Sequence, residues 1–112
     1  MIMDRKSVTA TLVSGAAASA TALTFSAINA PSKIVRMIVT VPSFATTTTS
    51  ATATVIDQDG AIVYQSASLA YATKTSIPVD IDVFAGDKLE VESSATVGNG
   101  ANVVTVVLQL ER

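Results

Sequence analysis

The chain of 112 residues has no cysteine and no histidine. Without cysteine there is no disulfide framework, no thiolate nucleophile and no Cys-ligated zinc. Without histidine the commonest general base and the commonest transition-metal ligand are both gone. Tryptophan is absent and aromatic residues make up only 4% of the chain. A core must therefore be assembled from small and β-branched side chains. Charged residues are 14% of the total, against about a quarter in ordinary soluble domains. No run approaches the roughly 18 uninterrupted apolar residues of a membrane-spanning helix. The formal net charge is −2 and the isoelectric point near 4.8. No basic patch appears, so neither nucleic acid nor a membrane is an expected partner.

What is present is alanine, valine, threonine and serine in alternating order. The length fits a single domain. A surface poor in charge and rich in small hydroxyl side chains is weakly protected against association. It reads as a surface meant to be covered by another subunit.

Residues 5–22 read RKSVTATLVSGAAASATA. Two basic residues, a weakly apolar stretch and Ala18-Ser19-Ala20 outline a secretory signal peptide. The apolar stretch is too interrupted for one. Val8, Leu12 and Val13 are its only large apolar residues before Gly15, and Thr9, Thr11 and Ser14 break them up. Val8-Thr9-Ala10-Thr11-Leu12 alternates as a strand does. The expectation is no signal peptide, with two strands joined by a turn at Ser14-Gly15. In the second, Leu23, Phe25 and Ala27 share one face.

Period two continues along the chain. In Ser76–Val83 the apolar face is Ile77, Val79, Ile81 and Val83, and the wet face is Ser76, Pro78, Asp80 and Asp82. Pro78 lacks an N–H to donate, which places this strand at a sheet edge or the proline on its unpaired side. Ala85-Gly86-Asp87 turns the chain into a strand with Leu89 and Val91 inward, as a hairpin or a corner between sheets. Ser50–Asp57 and Ala61–Ser66 form a hairpin, with Asp59-Gly60 supplying positive φ. Residues 33–41 place Val35, Met37, Val39 and Val41 on one face, with Ile34 and Arg36 on or beside the other. Asn102–Glu111 buries Val104, Val106, Leu108 and Leu110. Its second face (Val103, Thr105, Val107, Gln109) is still half apolar, as in a strand lying mid-sheet or against a partner. Residues 43–49 read as an edge strand or loop, and Gly98-Asn99-Gly100 as a loop tip. Together these make an all-β chain of about seven to nine short strands, an antiparallel, jelly-roll-like β-sandwich.

Few groups invite chemistry. Asp57-Gln58-Asp59-Gly60 opens like a calcium loop, but Ser68 stands where the bidentate glutamate belongs, so it reads as a hairpin turn. Asp80, Asp82, Asp87, Glu90 and Glu92 read as an acidic solvent face that blunts edge pairing. A weak cation site or a basic partner surface is the sharper alternative. No G-x-S-x-G elbow is present, and no histidine can activate a hydroxyl. The expectation is a protein that is not an enzyme, with no catalytic residue, no metal and no cofactor. Interface candidates are Met1, Ile2, Met3, Phe44, Tyr64 and Tyr71. Residues 1–7 read as an N-terminal arm docking on a neighbouring subunit, and 8–112 as the β-sandwich domain.

The stretch TSIPVDIDVFAGDKLEVE (residues 75–92) and the closing VVTVVLQLE (residues 103–111) resemble what decoration, or cement, proteins of tailed-phage capsids use. That resemblance implies a structural virion protein, made in the host cytoplasm and bound to the capsid surface. There it would staple or stabilise subunits of the major capsid protein, as a homodimer or homotrimer. The alternative is a fibre or adhesin-type module binding a glycan or receptor.

Overall fold

The computed structural model describes residues 3–13, 19–26, 32–44, 49–94 and 101–111. Nine strands occupy them: β1 (Met3–Val13), β2 (Ser19–Thr24), β3 (Ser32–Thr40), β4 (Ser50–Ile56), β5 (Ile62–Gln65), β6 (Leu69–Ala70), β7 (Lys74–Val83), β8 (Lys88–Ser93) and β9 (Ala101–Glu111). All pairings are antiparallel. One sheet has the order β1-β9-β3-β7, and the other β2-β8-β4-β5, with β6 also on β4. The pairs β1–β9, β2–β8, β3–β7 and β4–β5 are nested about the turn at residues 57–60. The chain is thus one long hairpin rolled across two sheets, the jelly-roll-like winding expected from the strand spacing.

Alternation decides which side chains meet between the sheets. Val8, Ala10 and Leu12 of β1, Val104, Val106 and Leu108 of β9 and Met37 and Val39 of β3 line the inner side of one sheet, in one buried cluster with Val55, Leu89 and Val91 of the second sheet. Most of these are completely buried. Phe25 is the one large aromatic among the fully buried side chains. Its N–H donates to the Asp87 carbonyl and its carbonyl accepts from Gly86, both at 2.8 Å. This clips the chain after β2 to the corner between β7 and β8.

The strand at 33–41 departs from the simple alternation. Ile34 is fully buried and Val35 is half-buried. A bulge between Ile34 and Arg36 inserts Val35 as an extra residue against β9. The bulge reverses the phase, so Ile34 joins Met37 and Val39 inside. A similar irregularity sits between Thr21 and Leu23 of β2. Pro78 stands as expected: β7 is an edge strand whose only strand partner among the described residues is β3.

Residues 3–7 continue β1 without a break, Met3 opposite Glu111 and Ser7 opposite Val107. No strand boundary falls at Val8. Removing 1–7 would therefore uncover Leu108 and Leu110 as well as end any contact with a neighbour. The turn expected at Ser14-Gly15 and the loop tip at Gly98-Asn99-Gly100 lie outside the described residues.

Candidate interaction surfaces

The outward face of the β1-β9-β3-β7 sheet can be read in rows from the strand register. Thr11 lies beside Val103. Thr9, Thr105, Thr40 and Lys74 form the next row, then Ser7, Val107, Ile38 and Ser76. Further along come Arg5, Gln109, Arg36 and Pro78, and last Met3, Glu111, Lys33 and Asp82. Apart from Lys74 on the edge strand, the first three rows carry only hydroxyl and aliphatic side chains. Val103 is 44% exposed, while Val107 and Ile38 lie half-buried by their neighbours. The charges gather at the other end. There Lys33 pairs with Asp80 at 3.0 Å and Arg36 Nη1 donates to Ser76 Oγ at 2.6 Å.

Hydrogen bonding and the charge of Asp80, with help from Asp82, hold the Lys33 pKa above its ordinary value. A raised lysine favours the folded state at neutral pH, and that contribution is lost only as the pH rises through the lysine range. Both partners are exposed, so the pair adds orientation more than stability.

The opposite outer face is built differently. Ser19, Glu92 and Thr52 form one row, and Thr21, Glu90, Thr54 and Gln65 another. Thr21 Oγ1 donates weakly to Glu90 at 3.4 Å. The first face is therefore aliphatic and hydroxyl over three of its five rows and charged over the other two, whereas these two rows of the second face are hydroxyl and acidic and its next row is Thr24, Lys88, Ile56 and Ile62.

This divides the acidic group expected to act together. Ala85-Gly86-Asp87 is a corner between sheets, so Asp80 and Asp82 belong to one outer face and Glu90 and Glu92 to the other. Asp87 lies on neither. It is 4% exposed, and its Oδ2 accepts the Phe84 N–H at 2.8 Å. Among the described residues no group of three or more such side chains is placed to hold a metal ion. Asp57 is likewise committed to its turn, its Oδ1 accepting from the Asp59 and Ala61 N–H groups at 2.9 Å each. Gly60 has φ +88, and its N–H donates to the Asp57 carbonyl at 3.0 Å. Gly60 is the only residue of the turn in the left-handed region, so Asp59 does not share it.

The interface candidates are not brought together. Met3 is 52% exposed, at the charged end of the aliphatic face, whereas Phe44 is 4% exposed in its own core. Phe44 therefore offers nothing to a neighbour. Tyr64 and Tyr71 are half-buried, leaning on the core from the β5 edge and the turn after β6. Met1 and Ile2 lie outside the described residues. Phe84, which is not among those candidates, is 59% exposed. The signal was present: with Ile77, Val79, Ile81 and Val83 inward, the next residue must point out.

The sequence matches no protein-family model and no curated protein. The fold is similar to a chain of the cyanophage Pam1 capsid asymmetric unit. The TM-score is 0.62 at 14% identity, over 97% of this chain and 85% of that one. It is also similar to the SPBc2 prophage-derived protein YomS. There the TM-score is 0.53 at 16% identity, over 97% of this chain and 96% of that one. At such identities the likeness is one of fold.

Proposed function

We propose that this chain is a non-enzymatic structural protein of a phage virion that binds the outside of the capsid and staples its subunits. The observation that carries the reading is the extent of the likeness to the Pam1 capsid component, 97% of one chain against 85% of the other. The likeness thus extends over both sheets rather than over a single hairpin. The aliphatic and hydroxyl rows of the β1-β9-β3-β7 sheet support it physically. Those rows lose little hydration when covered, because their one charge is Lys74 on the edge strand. The two longer dimensions of the molecule are 42 and 26 Å. They bound a face on the order of 1,000 Å² with its charged rows included, so an interface taking the standard ~800 Å² from each partner would cover part of those rows as well.

Many symmetric copies would stiffen a shell even with modest affinity at each contact. The homodimer or homotrimer reading draws support from β1. It is 11 residues long, pairs with β9 without a bulge and contains no proline. Its other edge has no strand partner among the described residues. The major capsid protein is the proposed partner and the virion surface the proposed location.

The test is co-sedimentation of the purified chain with empty shells assembled from the major capsid protein of the same genome. Saturable binding at a fixed ratio to the shell subunits is expected. A folded chain that stays in the supernatant would overturn the reading. Binding to a glycan instead would favour the fibre or adhesin alternative.

A further inference from the structure

Three of the large apolar side chains most exposed on the described surface lie at one end of the sandwich: Ile62 at 62%, Val63 at 48% and Phe84 at 59%. There the turn at 57–60 meets the corner at 84–87. Val63 and Phe84 line a depression of about 280 Å³ together with Asp57, Asp59, Asp82 and Asp87, and no basic side chain lines it. The end is firmly built. Gly86 has φ +95, and a Cβ placed on it would come 3.1 Å from the Cβ of Gln58, so the two turns touch. Asp87 fixes the Phe84 backbone from both sides, its carboxylate accepting the Phe84 N–H at 2.8 Å and its own N–H donating to the Phe84 carbonyl at 3.1 Å. Asp57 and Asp87 are thus consumed in holding the turns. Asp59 and Asp82 stand exposed on the rim.

Phe84 does nothing for the core, since its side chain points away from it. An aromatic held outward on a rigid turn, beside a valine and under an acidic rim, has the make-up of an interface anchor. We infer that this end is a docking site for a protein segment that presents an apolar side chain flanked by lysine or arginine. The apolar group would cover Phe84 and Val63, and the cations would meet Asp59 and Asp82. The inference rests on the shell-binding reading and adds a second contact to it. With the aliphatic face on one capsid subunit and this end on a neighbour, one molecule bridges two. The second contact then forms at high effective concentration.

The experiment measures binding to the same empty shells over a range of salt. Phe84→Ala is expected to weaken binding about tenfold, whereas Phe84→Leu, which keeps an apolar group, stays within about threefold. Asp59→Asn with Asp82→Asn is expected to weaken it several-fold and to flatten its salt dependence, as loss of rim charge does. All these side chains are exposed, and thermal unfolding checks that each variant folds. Should Phe84→Ala fail to fold, Asp59→Lys with Asp82→Lys replaces it, with a larger loss expected. If the wild-type chain binds and these variants bind equally well with the same salt dependence, the docking site is overturned and shell binding stands. If the wild-type chain does not bind, both fall.

Discussion

Leu108→Ala is expected to lower the unfolding free energy by about 3 kcal/mol, within the 2–5 kcal/mol usual for emptying a packed leucine site. Leu108 is completely buried. It sits on β9, which lies between β1 and β3, and opposes Met37 and Lys6 across the ladders. With strands held on both sides, the backbone has little freedom to close the cavity. A domain of this size is stable by only about 5–15 kcal/mol, so the loss should be plain in a urea or thermal melt. Val107→Ala, one residue away, is expected to cost less than about 1 kcal/mol, because Val107 faces outward. The contrast tests the register. A slip of β9 by one residue would exchange the two effects.

The second large effect concerns the aliphatic face. Val107 and Ile38 are opposite one another on β9 and β3. Val107→Lys with Ile38→Glu places an ion pair there, and cross-strand opposite charges are well tolerated in a solvent-exposed sheet. The variant should fold as the wild type does. Shell binding should weaken at least about a hundredfold, because two charges would have to lose their water when the face is covered. Thr52→Lys, opposite Glu92 on the other outer face, should leave binding unchanged. Co-sedimentation of the two variants side by side reads the difference. Equal loss in both would indicate that the contact is not confined to this face.

Much of the fold was legible because a strand has period two. The inward sets Ile77-Val79-Ile81-Val83 and Val104-Val106-Leu108-Leu110 follow from alternation alone, and both face the core. Pro78 marked an edge because it cannot donate to a ladder. Bulges were not legible. Nothing in Lys33-Ile34-Val35-Arg36 says which aliphatic residue is the extra one, since both Ile34 and Val35 suit a buried position. That choice is made by pairing with β9, far away in sequence. The turn Ala85-Gly86-Asp87 suits a hairpin or a corner equally well. Only the sheet assignments of β7 and β8 separate Asp80 and Asp82 from Glu90 and Glu92. Phe44 resembled an interface aromatic because the stretch around it lacks a clear period, while its burial depends on packing against distant strands. Phe84 shows the converse, a position whose outward direction was written in the phase of the strand before it.

The most direct test is an image of shells decorated with the wild-type chain at saturating concentration. The account predicts density for the chain on the outer surface, with the rows around Val103, Val107 and Ile38 turned toward the shell. Density in which the Glu90 and Glu92 face makes the contact, or shells that remain bare, would contradict it.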